Sequence, residues 1–81
     1  MSQQDQQVLN ITSEVIEEVF KAMKKHSSMK SNHEGYAVIL EELDELWDEI
    51  KKQHPNNELI RKEAIQVAAM AVRFILDRCS E

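Results

Sequence analysis

The sequence predicts an all-α chain of three helices. The last two form a helix-turn-helix hairpin, and oligomerisation completes a helical bundle. Three observations predict this. One Gly and one Pro in 81 residues, with 42% hydrophobic and 31% charged residues, describe a globular helical chain rather than a disordered one. Apolar residues recur at helical spacing in three stretches separated by two polar breaks. In residues 64–76, all but Gln66 and Arg73 are apolar, and a helix apolar on nearly every side is buried on nearly every side. Two partner helices from so short a chain can hardly enclose it. A second subunit is therefore expected to cover the remainder, in a homodimer or dimer of dimers with the third helix in the interface. Residues 1–81 read as a single domain, and a core of that size seldom supplies more than roughly 3–5 kcal/mol by itself.

The first helix is expected over residues 4–25. Val8, Ile11, Val15, Val19 and Ala22 form one stripe, with Leu9, Ile16, Phe20 and Met23 beside it. Glu14, Glu17 and Glu18 come early and Lys21, Lys24 and Lys25 late, which complements the helix dipole. Glu17 with Lys21, and Glu18 with the next turn of lysines, have the spacing of ordinary helix pairs. Residues 26–32 break the pattern with Ser27, Ser28, Ser31 and Asn32. Ser31-x-x-Glu34 reads as a capping box opening the second helix. His33 in its first turn is either a helix-start residue or a phosphate contact. Gly35, the only glycine, permits a close backbone approach.

The second helix is expected over residues 33–53, with Tyr36, Ile39, Leu40, Leu43, Leu46, Trp47 and Ile50 on one broad apolar face. Asp48 and Lys52 pair at i,i+4. His54-Pro55-Asn56-Asn57 then supplies a tight break, because Pro disfavours helix in the residue before it and Asn is a good N-cap. The third helix is expected over residues 57–78.

The charge balance excludes some partners. Ten basic residues against 15 acidic give a net charge of −5, with no cation excess to neutralise a phosphate backbone, so no duplex nucleic acid partner is expected. A small phosphorylated ligand stays open if a divalent cation bridges acid to phosphate. Cys79, the only cysteine, allows no intrachain disulfide and fits a reducing compartment. The polar N-terminus lacks the cationic-then-apolar order of a signal peptide. No apolar run approaches the roughly 20 residues that span a bilayer. A cytoplasmic protein with no membrane partner is the expectation.

The chemistry concentrates in residues 40–49, where six acids interleave with the apolar stripe. Glu42 and Glu45 are three apart and project from neighbouring helical positions. Glu63 and Gln66 repeat that spacing on the third helix, with Glu63 set among apolar neighbours where a carboxylate needs compensation. A hairpin centred on His54 sets Glu45 level with Glu63 and Glu42 level with Gln66. Unit charges about 4 Å apart at an effective dielectric near 20 repel by roughly 4 kcal/mol. Such a cluster must protonate, splay into water or hold a cation. Oxygen-only donors select a hard ion, Mg²⁺ or Mn²⁺. No helix carries the Glu-x-x-His of di-iron bundles, and no Gly-rich phosphate loop, Cys-x-x-Cys pair or nucleophile elbow is present. The alternative is a solvated acidic face on a helical assembly module.

Glu41-Glu42-x-x-Glu45 followed by Glu63-x-x-Gln66 resembles the EExxE…ExxD signature of the MazG-like all-α nucleoside triphosphate pyrophosphatases. The resemblance covers roughly residues 33–77, and the runs 33–40 and 63–70 look like a short-chain branch of that family. It implies Mg²⁺-dependent cleavage of an NTP or dNTP between its α and β phosphates, giving the monophosphate and pyrophosphate. By position, it implies that Glu42, Glu45, Glu63 and Gln66 are metal ligands, with Mn²⁺ as an alternative ion. Glu41 would then assist the metal or the attacking water. Gln66 stands where the family has an aspartate, and a non-catalytic nucleotide- or metal-binding relative is the second reading. Longer members add phosphate-binding cations from a further helix; Lys21, Lys24, Lys25 and Arg73 are the candidates here.

Overall fold

The computed structural model describes residues 1–80. Among them are three α-helices and no strand: α1 Gln3–Lys25, α2 Asn32–Ile50 and α3 Asn57–Phe74, followed by a π-helical turn at Ile75–Cys79. No helix is long and apolar enough to cross a membrane among these residues.

The helix starts follow from side-chain caps. Ser2 and Asp5 form a full capping box on α1, each side chain accepting the other's backbone N–H. At α2 the box is only half made. Ser31 Oγ accepts from the Glu34 N–H as expected, but the Glu34 carboxylate accepts from the Lys30 N–H rather than from Ser31. Asn56 caps α3 through Oδ1, which accepts from the N–H groups of both Glu58 and Leu59.

Two helix ends differ from the sequence expectation. α2 stops at Ile50 rather than residue 53. Pro55 excludes helical geometry at His54, so the chain reversal takes up the preceding residues. α3 is α-helical only to Phe74, and Ile75–Cys79 winds more widely, closing with a bond from Ser80 Oγ to the Ile75 carbonyl. The short-range ion pairs shift as well. Lys21 pairs with Glu18, one of the two acids expected to face the lysines, and not with Glu17; Lys52 pairs with Glu49, leaving Asp48 to Lys51.

α3 is the middle helix and packs against both α1 and α2. The result is a layer with principal extents of 37 × 36 × 19 Å. Its core is thin: Val19, Met29, Ile65 and Ala69 are the apolar side chains it buries. Gly35 lets α2 approach Phe74 of α3, since a Cβ there would lie 2.6 Å from Phe74 Cε1 and 3.1 Å from Met29 Sδ. The expected apolar face of α2 divides. Ile39 and Leu46 are half-buried, while Tyr36, Leu40, Leu43, Trp47 and Ile50 stay exposed.

A buried polar clamp ties the α1–α2 loop to the end of α3. Arg73, only 5% exposed, donates through Nε to Asp77 Oδ2 at 2.7 Å and through an Nη to the His26 carbonyl at 3.3 Å. Asp77 Oδ2 also accepts from the Met29 N–H at 2.9 Å. Arg78 extends the clamp, donating to the Lys30 carbonyl and Asn32 Oδ1. With Met29 buried beneath, this fixes where α1 ends relative to α3.

Candidate metal centre and adjoining cleft

The tight 51–56 turn holds α2 and α3 antiparallel, and the carboxylates of Glu42, Glu45 and Glu63 meet across them. One oxygen from each lies within 4.8 Å of the others. Glu42 and Glu63 are half-buried and Glu45 is exposed. None of the three enters an ion pair among the described residues.

Their electrostatics follow from that crowding. The Glu42 carboxyl is pushed up to about 7, first by burial, then by the charge and hydrogen bond of Glu45, and further by Glu63 and Glu41. Burial and the charge of Glu45 likewise raise Glu63, Lys62 opposes them, and Glu49 adds to the rise. Three oxygen donors with crowded negative charge, none of them in an ion pair among the described residues, suit a hard divalent ion. The donor chemistry therefore fits Mg²⁺ or Mn²⁺.

Glu41, Glu42 and Gln66 also line a cleft of about 720 Å³ with α3 as its floor and α1 and α2 as its walls. The α1 wall carries Glu18, Lys21, Ala22 and Lys25, one face of a helix at i, i+3, i+4 and i+7. Lys21 and Lys25 therefore stand across the cleft from three carboxylates, Glu34, Glu41 and Glu42, with Glu18 beside them and paired with Lys21. His26 and Arg73 close its far end.

Of the candidate phosphate cations, Lys21 and Lys25 line this cleft and Lys24 does not. Arg73 reaches it, but its guanidinium is already engaged by Asp77 and the His26 carbonyl. His33 is exposed at the start of α2 and is not among the lining residues.

Gln66 is turned across the cleft: its Nε2 donates to Glu18 Oε2 at 2.8 Å. Glu18, which the sequence presents as a helix-pair partner of the lysines, also lines the cleft. Its helical register with Lys21 and Lys25 was the available signal, but a partner on α3 was not readable without the α1–α3 packing. Nothing among family models, curated proteins or solved structures matches this chain. The family resemblance therefore rests on its motif residues alone.

Proposed function

We propose that the chain is a Mg²⁺-dependent nucleoside triphosphate pyrophosphohydrolase, a MazG-like protein of the short-chain branch. The observation that carries this reading is the convergence of Glu42, Glu45 and Glu63 beside a cleft whose opposite wall presents Lys21 and Lys25. A triphosphate needs both halves: a divalent ion to neutralise and orient phosphate oxygens, and cations to receive the rest of its charge.

Glu42, Glu45 and Glu63 would hold the ion, and the Gln66 side-chain oxygen would be a further ligand. Once bound, Mg²⁺ supplies charge neutralisation and lowers the pKa of a coordinated water. Glu41, on the cleft wall, would orient an attacking water or take its proton. Lys21 and Lys25 would draw the outer phosphates toward α1. Water is added across the P–O–P bridge between the α and β phosphates, the bridge breaks, and monophosphate and pyrophosphate leave. Catalysis of this kind is mainly positioning and electrostatics.

A second reading, nucleotide or metal binding without turnover, is favoured by the Gln66 side chain. It brings no charge, cannot act as a base, and is hydrogen-bonded to Glu18.

The test is phosphate release across the common NTPs and dNTPs with Mg²⁺ and a coupling inorganic pyrophosphatase. Metal-dependent release for at least one nucleotide, lost in the Glu45→Gln/Glu63→Gln double variant, is expected. Thermal stabilisation by Mg²⁺ and nucleotide without release selects the binding reading. Neither effect would leave the cluster as an acidic surface on a helical assembly module.

A further inference from the structure

The cleft changes character along its length. α1 runs parallel to α3, because Glu18 meets Gln66 and the His26 carbonyl meets Arg73. α2 runs antiparallel to α3, because Glu42 meets Glu63 and Gly35 packs on Phe74. The floor is one face of α3, with Gln66, Met70 and Arg73 at helical spacing. Gln66 lies toward the end where Glu42 stands. Met70 follows, half-buried, with half-buried Val38 of α2 and Ala22 of α1 as apolar companions in the lining. Arg73 lies at the far end, about 10 Å along the helix from Gln66. That is comparable to the span from the first phosphate of a nucleotide to the outer edge of its base.

Arg73, 5% exposed, keeps one donor unsatisfied. Its Nε and Nη2 donate to Asp77 and the His26 carbonyl, and Nη1 has no partner among the described residues. Nη1 is nevertheless not sealed off, because no fully buried side-chain nitrogen among those residues lacks a partner. Since Arg73 lines the cleft, Nη1 is the group it has left to offer there. Asp77 balances the guanidinium charge, so this is a rigid, near-neutral donor, better suited to a carbonyl than to a phosphate. Glu34 brings the matching acceptor to the same end of the cleft. Its Oε2 takes the Lys30 N–H, and its Oε1 has no hydrogen bond among the described residues. The contact of Gly35 with Phe74 sets Glu34 and Arg73 each about 1.5 Å along its own helix from that point.

We propose that the far end of the cleft is a guanine subsite: Arg73 donates to the O6 carbonyl, Glu34 accepts from N1–H and the exocyclic amino group, and the ring lies on Met70 and Val38. Of the common bases, guanine alone sets a carbonyl beside two N–H groups on one edge, so it uses both the donor and the carboxylate fully. The lining contains no Tyr, Trp or Phe, so the ring packs on a thioether and aliphatic groups, and methionine sulfur makes favourable contacts with aromatic rings. Depth separates the two ends of the ligand. Lys21 and Lys25 are exposed on the α1 wall and stay free for phosphates above the base. The subsite rests on the nucleotide reading given above for its phosphate end; its base end rests on Arg73, Glu34 and Met70.

Nuclear magnetic resonance titration of the full chain without metal, using GMP, IMP, AMP and UMP, tests the subsite. These monophosphates have no α–β bridge to cleave, so the titration reads the base and not the hydrolysis. GMP should bind tightest, shifting the Arg73 Nε–H and Met70 methyl signals. IMP lacks the exocyclic amino group and should bind about tenfold more weakly or worse, the loss of one hydrogen bond to a charged group. AMP lacks the carbonyl and N1–H as well and should be weaker still, with UMP no tighter than IMP. Arg73 variants would undo the clamp to Asp77, so Glu34→Gln is the informative change. Its amide oxygen can still accept the Lys30 N–H, and it should cut the margin of GMP over IMP severalfold. Equal affinities for the four monophosphates, no GMP binding at millimolar concentration, or an undiminished margin in Glu34→Gln would each overturn the subsite. The hydrolase reading fails separately: triphosphates that release nothing, with the GMP preference intact, would remove the reaction and keep the subsite, whereas release with no preference among bases would do the reverse.

Discussion

The side-chain amide of Gln66 on α3 donates to the Glu18 carboxylate on α1 across 2.8 Å, bridging the floor and wall of the cleft. That bond is the largest reason the Glu18 carboxyl lies below its ordinary value; burial opposes the effect and Lys21 adds to it. Gln66 thus bonds α3 to α1 inside the cleft that Glu42 also lines.

Replacing Gln66 by Glu sets two carboxylates face to face and removes the donor. At neutral pH the Gln66→Glu variant should lose about 1–2 kcal/mol of stability in urea denaturation. The swapped pair, Glu18→Gln with Gln66→Glu, recreates the same charge-assisted bond in reverse and should recover most of the loss. A double variant no more stable than Gln66→Glu alone would show that the two side chains do not interact in solution.

Gly35→Ala tests the closest helix approach. Alanine is favoured over glycine in a helix by roughly 1 kcal/mol, but its Cβ would strike the Phe74 ring and press on Met29 Sδ. Overpacking of this kind costs typically 1–3 kcal/mol. A lower melting temperature is expected, with partial recovery when Phe74→Leu is added. A Gly35→Ala variant that melts higher would mean that Phe74 moves aside at no cost.

The α2–α3 hairpin was legible in the sequence because its turn is short. Pro55 and the asparagines locate the break, and a tight antiparallel turn leaves little freedom in register, so the sequence by itself sets Glu45 level with Glu63. The α1 packing was not legible. Residues 26–31 form no tight turn, so nothing in their sequence dictates which face of α1 meets α3. For that reason Glu18–Gln66 and the bidentate Glu14–Arg61 pair went unseen. Arg73 was read as a polar exception on an apolar helix and a candidate phosphate cation. Its partner four residues on, Asp77, was the overlooked sign that it is held in a buried pair.

That clamp makes its own prediction. Burial alone would raise the Asp77 carboxyl, but the Met29 N–H and the Arg73 guanidinium outweigh it and hold the group below its ordinary 3.8. A lowered folded-state pKa contributes stability above the unfolded value, lost as pH falls through the folded one. Asp77→Asn should therefore cost about 2–4 kcal/mol at neutral pH, because it leaves Arg73 buried without a counter-charge. The penalty should shrink below about pH 4, where wild-type Asp77 also begins to protonate. Amide exchange at Met29 should accelerate in the variant. Unchanged exchange there would show that the loop is held by Arg78 alone.

The carboxylate cluster gives the opposite sign. The folded-state pKa of Glu42, about 7 against an ordinary 4.5, means that the metal-free fold binds its proton more tightly than the unfolded chain does. Its contribution is therefore complete below about pH 4.5 and is lost as pH rises through 7. The groups with lowered values, Glu14, Glu18 and Asp77, lose their contributions only in more acidic solution. Between pH 5 and 8 the cluster should thus dominate, and the metal-free protein should lose roughly 1–3 kcal/mol across that interval. Glu45→Gln with Glu63→Gln removes the neighbouring charges but not the burial, the largest cause of the Glu42 shift. The double variant should therefore be more stable than wild type at pH 8 without metal, with a flattened rather than absent pH dependence. Mg²⁺ at 100 times its dissociation constant should restore about 2.7 kcal/mol to wild type at pH 8 by mass action and nothing to the double variant. Thermal melts at pH 5 and 8, with and without Mg²⁺, check all four states. A metal-free double variant that melts below wild type at pH 8 would show that Glu45 and Glu63 make structural bonds, and that repulsion does not govern the site.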